Sequence, residues 1–112
     1  MAAHRYWRLF SIYNNGYAHT NVCELEMFTS LGGPNVCTGG TAFASSEYPG
    51  WEAAKAFDGV KTGDHGWSTL SSGTQVNQWV GYDFGAGNDV EIEQVAITAR
   101  TNATGNGGLL VS

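Results

Sequence analysis

The sequence predicts an all-β fold that forms a single domain. Glycine accounts for 16 of the 112 residues, about twice its usual share, and aromatic or β-branched runs separated by glycines are typical of short strands joined by tight turns. Residues 79–84 show the clearest alternation, which places Val80, Tyr82 and Phe84 on one face that we expect to be buried. A chain of this length is sufficient for one domain with a hydrophobic core.

Two earlier segments are also predicted to be strands. Residues 5–13 (RYWRLFSIY) are rich in aromatic and branched side chains, and the following Asn14-Asn15-Gly16 favours a tight turn. Residues 22–28 (VCELEMF) alternate, so that Glu24 and Glu26 are predicted to point to solvent. The side chains predicted to point into the core from this strand are Cys23, Leu25 and Met27.

The last clear strand is predicted over residues 90–99 (VEIEQVAITA). Val90 and Ile92 share one parity, whereas Val95 and Ile97 share the opposite one. A shift by one residue within a strand is what a β-bulge produces. We therefore expect a bulge in this strand, with Val95 and Ile97 lying near the core.

One short helical turn is predicted near residues 52–57 (EAAKAF), because this segment contains three alanines and no β-branched residue. Turn signals, Pro49-Gly50 and Asp58-Gly59, flank it on both sides. So short a helix is unstable alone in water and must be packed against the rest of the domain. Its predicted buried face consists of Ala53, Ala54 and Phe57.

Charge and motif content argue against several classes of protein. The net charge is −5, and the five basic residues are scattered, which disfavours binding to a nucleic-acid backbone. The chain contains no catalytic or phosphate-binding signature, so we predict that it is not an enzyme. No apolar run is long enough to span a membrane, and the N-terminal residues lack the apolar core of an export signal.

The two cysteines, Cys23 and Cys37, are predicted to be free thiols, with Cys23 buried as a small hydrophobic residue. The alternative is a disulfide bond that closes the short loop between them. An oxidising compartment would favour that bond, but no export signal in the sequence points to one.

Residues 44–84 carry a resemblance to a known family. The segments AFDG (56–59), WST (67–69) and QWVGYDFG (78–85) are similar to the central pattern of the discoidin, or coagulation factor 5/8 type C, domain. RYWRL, CELEMF and ASSEY upstream also resemble its phage and bacterial versions, so the resemblance covers roughly residues 4–102. It implies a galactose-binding-domain-like β-sandwich of antiparallel, jelly-roll type, with residues 1–102 as the domain.

The loop after AFDG is a candidate calcium site. In carbohydrate-binding members of the family this loop often holds a structural Ca²⁺, and the positions carried over to this chain are Asp58 and Thr62. Asp64 is added because hard cations prefer several oxygen ligands from one folded loop. The alternative is that Asp58 only caps the turn by accepting backbone N–H groups.

Loop aromatics are the candidates for glycan binding, because a sugar ring stacks on an aromatic face while its hydroxyls need polar partners. The family binds ligands through loops at one end of the sandwich. The candidate residues here are Tyr17, His19, Tyr48 and Trp51. The alternative for Trp51 is a core position under the helical turn, and Trp7, Trp67 and Trp79 are predicted to be core residues.

Residues 103–112 are predicted to be a C-terminal tail that contacts another chain. Members of the family continue the sandwich beyond the 90–99 strand, so we expect an incompletely covered edge there. The expected consequence is a homo-oligomer, or a tail strand added to a neighbouring protein.

The sequence thus predicts a non-catalytic recognition module that binds cell-surface carbohydrate as part of a phage particle or fibre. The alternative is a structural virion protein, such as a head decoration or tail component, that docks onto neighbouring virion proteins and binds no ligand of its own. Either function places the chain in a virion or outside the cell.

Overall fold

The computed structural model describes residues 2–13, 19–70 and 76–100. In chain order its elements are β1 Tyr6–Tyr13, β2 Asn21–Val22, β3 Glu24–Phe28, β4 Thr41–Ala44, a 3₁₀ helix Ala53–Ala56, β5 Trp67–Ser68, β6 Val76–Asp83 and β7 Gln94–Thr98. Within these ranges no helix is long or apolar enough to cross a membrane. The predicted tail, residues 103–112, lies outside the described part of the chain.

The strands form three antiparallel sheets, which confirms the all-β prediction. The largest contains β1, β6 and β4 in the order β1-β6-β4, and the other two are the pairs β2-β5 and β3-β7. In the β1-β6 register, Arg8 lies opposite Gly81 and Phe10 lies opposite Trp79. Phe43 of β4 flanks Gly81 from the other side, so residues distant in sequence meet across this sheet.

The inner face of β6 supplies the centre of the core, as predicted from its alternation. Val80, Tyr82 and Phe84 are only 0%, 4% and 8% exposed. Trp67 is also buried, which confirms its predicted core position. The other buried members of this core are Val22, Leu25, Met27, Cys37, Ala53, Ala56 and Ile92. Cys23 is buried as well, and both cysteines are free thiols.

The predicted helical turn is a 3₁₀ helix, and its buried face differs from the prediction. Ala53 and Ala56 are buried, whereas Ala54 is exposed and Phe57 is half-buried. The difference arises because a 3₁₀ helix has three residues per turn, which aligns positions i and i+3 on one face. The Glu47 carboxylate accepts the Ala53 N–H at 2.7 Å, where the helix begins.

Glu24 is buried, and the prediction that it points to solvent is wrong. The predicted 22–28 strand is interrupted at Cys23, and Glu24 is only 1% exposed. The reason is that the loop after the 3₁₀ helix folds over this strand, so that the Gly59 N–H donates to Glu24 Oε2 at 2.9 Å. Alternation alone does not reveal that both faces of a strand are covered.

The predicted strand over residues 90–99 is shorter, and Val95 does not lie in the core. Val90 makes an isolated bridge with His4, Ile92 is buried, and β7 begins only at Gln94. Val95 is 51% exposed, because in the described part of the chain β7 pairs with β3 alone and nothing covers this side chain. Ile97 is half-buried and packs against the core, as expected.

Candidate functional site

Backbone hydrogen bonds hold the turn between Tyr48 and Trp51 against the segment that contains Ser68. The Tyr48 N–H donates to Ser68 O at 2.8 Å, and the Ser68 N–H donates to Trp51 O at 3.1 Å. The turn between Tyr48 and Trp51 is closed by a 2.7 Å bond from the Trp51 N–H to Tyr48 O, with Gly50 at a φ of 87°. Only glycine adopts such a conformation without strain, which explains the Pro49-Gly50 signal.

A further backbone bond, from the Thr69 N–H to Thr20 O at 2.9 Å, holds the segment that contains His19 beside Ser68 and Tyr48. The His19 and Tyr48 rings meet edge to face with centroids 5.5 Å apart. His19 Nδ1 lies 2.8 Å from Thr69 O, a carbonyl oxygen that can only accept, so Nδ1 donates in this contact. Tyr48 is 43% exposed, so its ring is accessible to a ligand. Tyr17 lies outside the described residues.

Trp51 is half-buried and interacts with a residue that sequence analysis missed. The Arg100 guanidinium lies 5.0 Å from the centroid of the Trp51 ring, and Arg100 Nε lies 2.6 Å from Asp64 Oδ1. A cation–π contact of this kind orients the guanidinium over the ring. We call His19, Tyr48, Trp51, Asp64 and Arg100 the loop cluster. No sequence signal identifies Arg100, because it only reaches Trp51 once β7 has paired with β3.

The two aspartates that were predicted to bind calcium, Asp58 and Asp64, already contact other groups of the protein in this structure. Asp58 Oδ1 accepts the Val60 N–H at 3.1 Å, which is the turn cap proposed as the alternative. Its Oδ2 lies 2.7 Å from His65 Nε2, while Asp64 pairs with Arg100. Thr62 is exposed, and the described residues contain no group of three or more His, Cys, Asp or Glu placed to hold a metal.

A calcium ion would have to displace His65 from Asp58 and Arg100 from Asp64, so this arrangement does not fit the ion as it stands. Calcium binding stays a prediction with a direct test. If the site exists, adding CaCl₂ should raise the melting temperature and a chelator should reverse the rise, because a ligand of the folded state stabilises it. The rise should disappear in Asp58→Asn and persist in Asp89→Asn. An identical melting curve with and without calcium would leave Asp58 as a turn cap only.

Glu24 is the most strongly perturbed acid among the described residues. Burial raises its pKa to about 7, and the negative charge of Asp58 acts in the same direction, whereas the Gly59 N–H opposes the shift. Its second oxygen, Oε1, is buried without a hydrogen-bond partner. Burial also raises the pKa of Cys37 to about 12 and that of Cys23 above its usual value. Both thiols therefore remain protonated at neutral pH and are poor nucleophiles.

The outer face of the β1-β6-β4 sheet carries an exposed aromatic surface that sequence analysis did not single out. Trp7 is half-buried and packs against the core, as predicted. Trp79 is half-buried and belongs to this outer surface, so the prediction that it is a core residue is wrong. Its position follows from strand pairing, because Trp79 points away from Val80 and lies opposite Phe10. We call this surface the aromatic face; it consists of Tyr6, Arg8, Phe10, Phe43 and Trp79.

The side chains of the aromatic face are packed against one another. The Phe10 and Trp79 rings are nearly parallel with centroids 6.2 Å apart, and Arg8 Cζ lies 5.0 Å from the first ring and 4.7 Å from the second. Tyr6 meets Phe43 edge to face at 6.4 Å. Gly81 makes this packing possible, since a Cβ there would come within 2.6 Å of the Phe43 ring and 2.8 Å of Arg8 Cβ.

An open apolar groove of about 340 Å³ runs between β1 and the segment that leads into β7. Trp7, Leu25 and Met27 contribute apolar side chains, while Glu93 and Val95 also line it.

Comparisons of this chain with family models, with curated proteins and with solved structures found no match. The functional assignment therefore depends on the geometry of the residues themselves.

Proposed function

We propose that this chain is a non-catalytic recognition module that binds a cell-surface saccharide at the loop cluster. The observation that supports this proposal is the exposed Tyr48 ring, held beside His19 and within the same group of loops as Trp51 and its Arg100–Asp64 ion pair. The fold that we propose is a jelly-roll β-sandwich resembling the discoidin domain, for which the antiparallel sheets described above are the support.

The loop cluster combines the two kinds of contact that a sugar needs. A pyranose ring packs its C–H face on an aromatic ring, and Tyr48 presents such a ring to solvent. Sugar hydroxyls also need hydrogen-bond donors and acceptors, and the His19 imidazole, Arg100 and Asp64 are the polar groups of the loop cluster that would supply them. Because Arg100 lies over the Trp51 ring, Trp51 orients Arg100 and leaves the stacking role to Tyr48.

Tyr48→Ala should abolish or strongly weaken saccharide binding. Losing one central aromatic anchor costs about 1–2 kcal/mol, which corresponds to roughly a tenfold rise in Kd. The measurement is a glycan array with the purified chain, followed by calorimetric titration of any saccharide that binds.

Tyr6→Ala is the matched control, because Tyr6 is exposed on the aromatic face, away from the loop cluster. It should leave the affinity unchanged. Binding that Tyr6→Ala removes and Tyr48→Ala does not would place the saccharide elsewhere, and a chain that binds no glycan would contradict the proposed function.

A structural virion protein that docks onto neighbouring proteins is the second candidate. The aromatic face favours it, since Tyr6 and Phe10 are 57% and 41% exposed and no described element covers them. A fixed number of copies in a purified particle, without saccharide binding, would support this candidate against the first. Both candidates place the chain in a virion or outside the cell.

A further inference from the structure

We propose that the aromatic face binds the acidic 89–95 segment of a second copy of this chain. The proposed contact is a head-to-tail, or heterologous, contact, in which the aromatic face of one copy meets the 89–95 segment of the next copy. This inference does not depend on saccharide binding at the loop cluster.

The composition of the aromatic face is that of a protein interface. Tyr, Trp, Phe and Arg are enriched in the centres of interfaces, whereas Lys and Glu are depleted there. The aromatic face contains four aromatic side chains and Arg8. The carboxylate that lies beside Tyr6 on the same face of the sheet, Asp83, is already paired with Arg5. Because these side chains are already packed against one another, little rotational freedom remains to be lost when a partner binds.

Among the residues that the structure describes, Arg8 has no ionic partner. Arg5, Lys61 and Arg100 each pair with a carboxylate of the same chain. Arg8 instead lies over the Phe10 and Trp79 rings, and no carboxylate of the described residues is within ion-pair distance of it. A guanidinium held on aromatic rings keeps its N–H groups available for two parallel hydrogen bonds to a carboxylate. The face therefore fits an acidic partner.

A second copy presents such an acidic surface. The chain has ten carboxylates against five basic residues, and two of the basic residues, Arg5 and Arg8, lie on or beside the aromatic face. Asp89, Glu91 and Glu93 are all exposed, and Val95 and the apolar groove lie next to them. The 89–95 segment thus offers carboxylates for Arg8 beside apolar surface for the aromatic rings.

The opposite arrangement, in which two aromatic faces meet, is disfavoured. It would bring two copies of Arg8 together without a carboxylate to neutralise either charge. A heterologous contact avoids this repulsion, and its repetition generates a ring or an open chain of copies.

Light scattering and native mass spectrometry test the contact. The mass of the wild-type chain should rise above the 11.9 kDa monomer as concentration increases, and added salt should reverse the rise because the charges are exposed. Arg8→Glu should remain monomeric, whereas Lys55→Glu, with the same change of charge on the 3₁₀ helix, should still associate. Phe10→Ser should also be monomeric. Leu70→Ser, which changes an exposed side chain beside Ser46, should still associate.

Mixing two variants distinguishes a heterologous contact from other modes. The double variant Glu91→Lys/Glu93→Lys should be monomeric alone, because its acidic segment is lost while its aromatic face is intact. Mixed with Arg8→Glu, which has the intact acidic segment, it should form a dimer and nothing larger. Circular dichroism of each variant confirms that loss of association is not loss of folding.

Several outcomes would overturn the proposal. One is a wild-type chain that is monomeric at every concentration; another is a mixture of the two variants that fails to dimerise. Glu93 borders the same groove as Arg8 within one chain, so a variant that changes only the melting temperature would indicate an intramolecular role. Association that survives Arg8→Glu but is lost on deletion of residues 103–112 would place the contact in the tail instead.

Discussion

Phe84→Ala is expected to lower the free energy of unfolding by about 3–5 kcal/mol, because truncating a large aromatic side chain in a core removes apolar burial and leaves a cavity. Phe84 is 8% exposed and packs edge to face on Tyr82, with ring centroids 5.0 Å apart. The Phe84 N–H also donates to Arg5 O at 3.0 Å, so the backbone around the cavity is held in place and collapses only partly. Urea unfolding followed by tryptophan fluorescence measures the loss.

Leu31→Ala is the control for this prediction, because Leu31 is 78% exposed and its truncation removes little buried area. Its cost should stay within about 0.5 kcal/mol. A cost for Phe84→Ala as small as that of Leu31→Ala would mean that the inner face of β6 is not the centre of the core.

Glu24 is expected to make the protein less stable as pH rises. Its pKa is raised from 4.5 to about 7 in the folded protein, so the unfolded chain releases this proton at a lower pH than the folded chain does. Between these two values the folded state holds the extra proton, and stability therefore falls as pH increases. The slope should fade over about one pH unit below 4.5 and above 7, because the carboxyl is half protonated at its pKa in each state.

The expected loss across this window is about 3 kcal/mol, since each unit of pKa corresponds to about 1.4 kcal/mol. Glu24→Gln should remove it, because an amide is neutral at every pH and its oxygen can still accept the Gly59 N–H. The variant should match the wild type near pH 4.5 and be the more stable of the two near pH 7.5, as measured by urea unfolding at each pH.

Glu26→Gln is the matched control, because Glu26 lies on the same strand and pairs with Lys61 near the surface. Glu26→Gln should therefore show the same fall in the free energy of unfolding as the wild type between pH 4.5 and pH 7. The decisive quantity is the difference between Glu24→Gln and the wild type at each pH, because every other ionisable group is common to both proteins. A slope that Glu24→Gln leaves unchanged would show that the buried carboxyl is not the group responsible.

Local patterns predicted the parts of this protein that depend on one strand or one turn. The alternation of residues 79–84 predicted that Val80, Tyr82 and Phe84 share a buried face, and the structure confirms it. The Pro49-Gly50 and Asp58-Gly59 signals correctly bounded the short helix. These predictions succeed because the direction of a side chain within a strand, and the conformation of a glycine turn, are set by nearby backbone geometry.

The candidate site was only partly predictable. His19 and Tyr48 were identified as loop aromatics and do meet in the structure, but Arg100 was missed. Asp58 and Asp64 were expected to share a cation, yet His65 and Arg100 already contact them. Partners of this kind come from other loops, and their approach depends on how the strands that carry those loops are paired.

The sequence by itself determined the all-β class, the inner face of β6 and the positions of the turns. Only the tertiary structure decided that the loop after the 3₁₀ helix closes over Glu24, that Val95 stays exposed, and that Arg8 lies over Trp79. The physical reason is that alternation assigns side chains to the two faces of a single strand. Which strand lies alongside, in which register, and what covers each face are set by contacts between segments that are far apart in the chain.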